Sequence, residues 1–137
     1  MMTLVVVPVR YPLTNHSRRT LEAAIEVARE QDGALTVLHV NLYQNGKTVT
    51  RTDLKAAVER HFGRLENVRY VVRSGFLVEE SILDEVGAEG ADIVVIGSKQ
   101  ASRWRRLLRR FSDNPDIEAY LRHHLDCEVR TVEPAVA

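Results

Sequence analysis

Residues 72–99 read VRSGFLVEESILDEVGAEGADIVVIGSK, in which one strand ends, a helix follows and a second strand begins. The apolar residues that indicate the helix recur at four-residue intervals: Val78, Ile82 and Val86. The glycine that ends the helix is Gly87 or Gly90. The second strand, Ile93–Ile96, is apolar at every position, as is typical of a strand covered on both faces. A strand, a helix and a buried strand in this order predict a parallel α/β sheet.

The same alternation extends to both sides of this stretch. Five strands are predicted: Leu4–Val9, Ala34–Val40, Val68–Val72, Ile93–Ile96 and Val129–Val132. Helical stripes fill the gaps at 21–28, 54–65, 78–86 and 117–125, with Gly33 as the expected C′ residue of the first helix and Asn114-Pro115-Asp116 as the start of the last. The order β-α-β-α-β-α-β-α-β predicts a doubly wound, open, five-stranded parallel sheet with helices on both faces. We expect one domain over residues 1–137, with a core over about 4–132.

Length and composition favour a globular cytosolic protein. The 137 residues are 45% hydrophobic and 28% charged, which is usual for one globular domain. No apolar run reaches the roughly 18–20 residues that span a bilayer, and the amino end lacks the pattern of a secretion signal. The one cysteine, Cys127, forms no intrachain disulfide, so a reducing cytosol is the expected location.

Charge is unevenly distributed although the formal net charge is zero. Residues 99–110 carry six cations and no acid, so the rest of the chain has a net charge of −6. The cations are Lys99, Arg103, Arg105, Arg106, Arg109 and Arg110. The sequence therefore predicts an acidic body that carries one basic segment.

The predicted sheet also indicates where a ligand would bind. In open parallel sheets, ligands bind beyond the carboxyl ends of the strands, near the point where the strand order reverses. The segments that follow the predicted strands there are 8–11, 39–41 and 97–100.

Three segments together resemble the universal stress protein family. They are VVVPVR with LEAAIEVA (5–10 and 21–28), the stretch 72–99, and YLRHHLDCEV (120–129). The resemblance implies a five-stranded doubly wound domain of the adenine-nucleotide alpha-hydrolase-like type that is usually dimeric through its last strand. Many members of the family bind ATP and others do not.

The ATP-binding pattern of the family is only partly present. It has an acidic residue after strand 1, where this chain has Arg10, and a series of three glycines after strand 4 that ends in Ser or Thr. Gly97 and Ser98 match its start, whereas Gln100 and Arg110 stand at the later glycines, and Ser112 is a displaced counterpart of the final hydroxyl. Glycines let a backbone approach phosphates closely, so side chains at 100 and 110 oppose the usual binding mode.

The first functional hypothesis is therefore a cytosolic, non-catalytic binding or signalling module with a degenerate ATP motif. On the family's pattern it is a homodimer, with Val129, Thr131 and Val132 at the contact, and it has no metal site.

The second hypothesis is an adenine-nucleotide binder for ATP or AMP with Mg²⁺, and slow hydrolysis stays open within it. The candidate site then comprises Pro8, Val9, Arg10, His39, Val40, Gly97, Ser98, Gln100 and Ser112, with Lys99, Arg103 and Arg110 as phosphate ligands.

The basic segment has three interpretations of its own. Trp104, Leu107, Leu108 and Phe111 share one helical face, and the arginines occupy the other. In the first interpretation, the apolar face docks on the domain. In the second, the arginines of 103–110 anchor an anionic ligand or an acidic partner. In the third, the segment binds an anionic membrane surface or nucleic acid. One short basic helix is thin support for nucleic acid, and the membrane interpretation requires an exposed apolar face.

Other chemistry finds little support. His123 and His124 are adjacent and diverge on a helix, and no cysteine cluster accompanies them, so a metal site is not expected. Ser17 and Ser98 have no base nearby in the sequence, so no nucleophilic triad is predicted.

Overall fold

The fold is built on five parallel strands, as the sequence predicts. In the computed structural model, which describes residues 2–109 and 117–133, they are β1 (Leu4–Pro8), β2 (Ala34–Leu42), β3 (Val68–Gly75), β4 (Ile93–Gly97) and β5 (Glu128–Val132). Their order in the sheet is β3-β2-β1-β4-β5. All four neighbouring pairs are parallel, with Val7 opposite Val37 in β2 and Val6 opposite Val94 in β4.

Helices connect the strands. They are α1 (Asn15–Glu30), α2 (Arg51–Phe62), α3 (Val78–Glu89), α4 (Ser98–Leu108) and α5 (Ile117–Leu125), with a 3₁₀ turn at Tyr43–Asn45. The last connection thus contains two helices, because the basic segment forms α4 directly behind β4. The expected start of the last helix at 114–116 lies outside the described residues.

Two apolar layers cover the sheet, one on each face. Along β4, Ile93 and Val95 point to the layer under α1 and α2, whereas Val94 and Ile96 point to the layer under α3, α4 and α5. This alternation follows from the period-two geometry of a strand. An apolar residue at every strand position is therefore what a sheet covered on both faces requires.

The strand order reverses between β1 and β4. From β1 the chain continues to β2 on one side, whereas β4 pairs with β1 on the other side and continues to β5. Helices α1 and α4 begin after the carboxyl ends of β1 and β4, so their first turns lie on either side of this switch point.

The end of α1 differs from the prediction. Asp32, with φ of 50°, takes the left-handed position that the sequence assigned to Gly33. Gly33 instead passes close to the first strand, because a Cβ at this position would lie 2.3 Å from the carbonyl oxygen of Thr3. Helix α3 ends at Gly90, which has φ of 63° and is one of its two predicted stops.

Candidate ligand-binding site

A cavity of about 1180 Å³ opens at the carboxyl ends of the strands, over the switch point. Its walls come from the segments that follow β1, β2, β3 and β4 and from the first turns of α1 and α4. This is the position that the parallel sheet predicts for a ligand. It is also large enough for a nucleotide-sized molecule, since small-molecule sites commonly measure about 300–1,000 Å³.

Nine of the twelve candidate ligand residues line this cavity. They are Pro8, Val9, Arg10, His39, Val40, Gly97, Lys99, Gln100 and Arg103. Ser98 begins α4 but does not line the cavity, and its carbonyl oxygen accepts a hydrogen bond from the Ser102 hydroxyl at 3.1 Å. Arg110 and Ser112 lie outside the described residues.

Several lining residues were not among the candidates. Tyr11, His16, Lys47 and Phe76 all contribute to the wall. Tyr11 is the last residue of the predicted ligand segment 8–11, so its position in the sequence was a usable signal. The other three reach the cavity through tertiary packing, which the spacing of residues along the chain does not reveal.

The charge of the lining is predominantly positive. Four cations (Arg10, Lys47, Lys99, Arg103) accompany two carboxylates (Asp53 and Glu79). Within the described part of the chain, none of these four cations lies within ion-pair distance of a carboxylate. Asp53 is already engaged, because it caps α2 and the backbone N–H of Thr50 lowers the pKa of its carboxyl. The cavity therefore attracts anions.

The loop between β1 and α1 is fixed by a helix cap. Thr14 is the N-cap of α1, and its Oγ1 accepts a hydrogen bond from the backbone N–H of Ser17 at 3.0 Å. The Ser17 hydroxyl accepts from the Thr14 hydroxyl at 3.1 Å and from the Arg10 backbone N–H at 3.4 Å. These contacts hold Arg10 and the first turn of α1 against each other at the cavity wall.

His39 extends from the end of β2 into the cavity wall. Its Nδ1 lies 3.2 Å from the carbonyl oxygen of Val9, so this nitrogen carries a proton and donates. In the neutral ring, Nε2 is then the acceptor that remains. The Tyr11 ring meets His39 edge to face, with centroids 6.2 Å apart. His39 is thus an oriented residue of the cavity wall.

His16 lies directly against Gly97. A Cβ at position 97 would be 2.4 Å from Nε2 of His16 and 3.0 Å from its Cδ2. Both ring nitrogens are buried and have no hydrogen-bond partner among the described residues. The glycine that matches the start of the family's phosphate motif therefore makes room here for an imidazole ring.

Gln100 is fixed by a contact between α3 and α4. Its Nε2 donates to Oε1 of Glu79 at 3.3 Å, and the indole N–H of Trp104 donates to the carbonyl oxygen of Glu79 at 3.3 Å. Trp104 is only 2% exposed, so this attachment belongs to the packed core. A side chain thus stands, held in place, where the family pattern has its second glycine.

The apolar face of the basic segment is docked on the domain. Ala101, Trp104 and Leu108 are buried in the layer under α3, α4 and α5, and Leu107 packs against that layer. Phe111 lies outside the described residues. The membrane interpretation required this face to be exposed, so the burial of its described residues contradicts it.

The arginines on the outer side of α4 remain solvent-exposed. Arg105, Arg106 and Arg109 are exposed, and no carboxylate of the described residues lies within ion-pair distance of them. Arg103 turns instead toward the cavity. The basic segment thus contributes to two surfaces, the cavity wall and the outer face of α4.

Strand β5 forms one edge of the sheet. Of the residues assigned to the dimer contact, Thr131 is exposed, whereas Val129 is 5% exposed within its own core and Val132 packs against the other apolar layer. A second copy at this edge would meet the strand backbone and Thr131, and the Val129 side chain would take no part.

The described residues contain neither a group of side chains that could bind a metal ion nor an exposed thiol. They contain no group of three or more His, Cys, Asp or Glu side chains that could hold a metal ion. Cys127 is buried, and burial together with the nearby carboxylates raises the pKa of its thiol to about 11. None of the helices in these parts of the chain is long and apolar enough to cross a membrane.

Comparisons with known proteins agree on one family. The model of the universal stress protein family matches residues 1–132. The solved structure of universal stress protein UspA from Lactobacillus plantarum is 16% identical, with a TM-score of 0.58, and the match covers 95% of this chain and 97% of that one. A universal stress protein solved in complex with cAMP is 15% identical, also with a TM-score of 0.58, over 97% and 98% of the two chains. No curated protein matches the sequence significantly.

Proposed function

Since the chain belongs to the universal stress protein family, we propose that it is a cytosolic binding module that holds an anionic ligand of the nucleotide class without turnover. The observation that carries this proposal is the cavity over the switch point, in which Arg10, Lys99 and Arg103 converge without carboxylate partners among the described residues. Unpaired cations in a concave site favour phosphate oxygens.

The rest of the wall suits the other part of a nucleotide. Phe76 and Leu77 line the cavity with exposed apolar side chains, and the rings of Tyr11 and His39 lie in the same wall. A planar base prefers such surfaces, since apolar and aromatic side chains cover its faces. The solved universal stress protein with cAMP supports the same ligand class by analogy of fold.

Binding without turnover is favoured by the state of the candidate nucleophile. The Ser17 hydroxyl accepts hydrogen bonds from Thr14 and Arg10, and no histidine or carboxylate among the described residues is bonded to it. Activation of a serine requires a neighbouring base. The Nδ1 atom of His39 is engaged by the Val9 carbonyl group and is not directed at a hydroxyl.

Thermal unfolding with AMP, cAMP and ATP, each at millimolar concentration with and without Mg²⁺, tests the proposal. A ligand at about 100 times its dissociation constant stabilises by roughly 2.7 kcal/mol, which raises the melting temperature of such a domain by several degrees. We expect Arg103→Gln to abolish most of the shift and Arg106→Gln, on the outer side of the same helix, to retain it. The absence of a shift with every nucleotide would overturn the proposal.

The proposed assembly is a homodimer through the edge strand β5. Its support is the backbone edge of that strand, which pairs with no further strand of the described residues, with Thr131 exposed beside it. Light scattering at tens of micromolar protein should give twice the monomer mass, and Thr131→Pro, which removes a backbone donor, should shift the protein to the monomer. A monomeric wild type would contradict the dimer.

A second candidate function is the capture of an acidic partner on the outer side of α4. The observation that favours it is the row of exposed arginines (Arg105, Arg106, Arg109) without ion pairs to described carboxylates. Binding of a poly-glutamate peptide should fall steeply with salt and be lost in the triple Arg→Gln variant. Binding that ignores both changes would exclude this function.

A further inference from the structure

We infer that the cavity selects a ligand with a single phosphate group over a triphosphate, an inference that rests on the proposed function and deepens it. It follows from the wall at the end of β4, where His16 and Gln100 occupy the space in which a chain of phosphates would lie on the backbone. The cations that remain around this wall can hold one phosphate.

The His16 ring lies against Gly97 at the start of α4. Gly97 is the N-cap of α4 and no side chain of the described residues caps this end, so the N–H groups of the first turn point outward from the helix. Such groups bind phosphate when the backbone is accessible. Here the His16 ring covers Gly97 so closely that even a methyl group would lie 2.4 Å from its Nε2. The ring therefore fills the space on the side-chain side of Gly97 and keeps a phosphate from approaching the backbone from that side.

Gln100 is the neighbouring side chain in the same wall of the cavity. Gln100 is held by the Glu79 carboxylate, which itself lines the cavity. The Glu79 backbone is tied in turn to the buried Trp104 indole. A string of phosphates that continued along α4 would meet a fixed amide and a negative charge. Like charges at close range disfavour binding, and most strongly for the more highly charged ligand.

The same wall provides a hydrogen-bond donor and cations for one phosphate group. At least one nitrogen of the His16 ring carries a proton, and neither nitrogen has a hydrogen-bond partner among the described residues. A buried donor without a partner is costly, so a small rotation of the His16 ring that presents this N–H to a phosphate oxygen in the cavity gains a hydrogen bond that no described residue supplies. Arg10, Lys99 and Arg103 line the same cavity and supply the charge. A monophosphate thus finds both a donor and cations without needing the backbone.

Isothermal titration of wild-type protein with AMP, ADP and ATP, at constant ionic strength and with and without Mg²⁺, tests this inference. AMP should bind at least tenfold more tightly than ATP, with ADP between them. ATP that binds as tightly as AMP, or more tightly, overturns the selectivity and leaves the proposed function intact. If no nucleotide binds, the proposed function fails and the inference fails with it.

Variants that open the wall sharpen the test. In the His16→Ala/Gln100→Gly protein we expect ATP affinity to rise and AMP affinity to fall, so that the tenfold preference disappears. The matched control is His61→Ala, which removes an exposed histidine of α2 that does not line the cavity and should keep the preference. An unchanged preference in a folded double variant would overturn the assignment to His16 and Gln100. The wild-type comparison of AMP with ATP decides the selectivity even if the double variant does not fold.

Discussion

Two polar regions of the molecule differ in whether their charged side chains are paired with opposite charges. Around the cavity, cations converge without carboxylate partners among the described residues. Between β2, β3 and α3, five side chains form a second region, the Glu85–Glu89 cluster, in which positive and negative groups are paired: Thr36, Arg69, Arg73, Glu85 and Glu89. Paired charges satisfy one another and serve the fold, whereas unpaired charges in a concave site are available to a ligand.

The contacts within the Glu85–Glu89 cluster are short, and its two carboxylates are shielded from water although the Arg69 side chain is 59% exposed. Glu85 accepts from Arg73 at 2.5 Å, and Glu89 lies 2.8 Å from Arg69 and accepts from the Thr36 hydroxyl at 2.6 Å. The side chains of Glu85 and Glu89 are 7% and 9% exposed. The comparison therefore predicts that substitutions in this cluster change stability and leave ligand affinity alone.

The largest effect is expected for Glu85→Ala. It removes a buried carboxylate and leaves Arg73 without its ion-pair partner, so the free energy of unfolding should fall by about 3 kcal/mol at pH 7. Urea unfolding measures this loss, and AMP affinity should stay within twofold of the wild type. Asp84→Ala, at an exposed position of the same helix, should change stability by less than about 0.5 kcal/mol. A large loss of AMP affinity in folded Glu85→Ala would break the division between the two regions.

Gly97→Ala should have the next largest effect, and it tests the packing of the cavity wall. The new methyl group must displace the His16 ring, which should cost about 2 kcal/mol of stability. In a His16→Ala background the same substitution should be nearly neutral, so a double-mutant cycle gives a coupling close to the whole loss.

The control for this cycle is Gly87→Ala in α3. A Cβ at position 87 would lie 3.6 Å from Leu125, an ordinary contact, and alanine favours a helix more than glycine does. Stability should therefore be unchanged or slightly higher. If Gly97→Ala costs as much with His16 absent as with it present, the ring does not determine the need for glycine at 97.

Much of the fold was predictable because burial on both faces leaves a simple pattern. The uninterrupted apolar runs of β1 and β4 identified the central strands, and glycine closed α3 as predicted at Gly90. The errors occur where packing replaces local preference. Gly33 lacks a side chain because Thr3 is close, and Asp32 adopts the left-handed conformation in its place.

The cavity was only partly predictable for a similar reason. Residues at or near the carboxyl ends of the strands, such as Val9 and His39, could be located by topology alone. His16 could not be assigned from spacing, since its contact with Gly97 depends on how α1 packs across the end of β4. The glycine matched a phosphate motif in the sequence, and only the three-dimensional contact shows that it also accommodates a ring.

The smallest predicted effect concerns pH and Glu89. Burial raises the pKa of Glu89, and its hydrogen bond and repulsion with Glu85 act in the same direction. Burial alone would also raise the pKa of Glu85, but hydrogen bonds with Glu89 and Arg73 and the charges of Arg73 and Arg69 outweigh it and lower that pKa. A raised folded-state pKa stabilises the fold below the unfolded-state value and loses this contribution as pH rises through the folded-state value. For Glu85 the contribution is present above its unfolded-state pKa and is lost as pH falls through the lowered value.

Glu89→Gln isolates the first of these two contributions. Glutamine resembles the protonated acid, because its amide can donate to Glu85 while its oxygen accepts from Thr36. The variant should therefore exceed the wild type in stability by up to about 1 kcal/mol at pH 7. This advantage should shrink toward pH 5, as the wild-type carboxyl takes up its proton. Urea unfolding across that range measures the difference, with Asp84→Asn at an exposed position in the middle of α3 as the pH-independent control. An advantage that grows on acidification would mean that Arg69 holds Glu89 as a carboxylate. Both acids of the cluster would then be stabilised in their ionised forms.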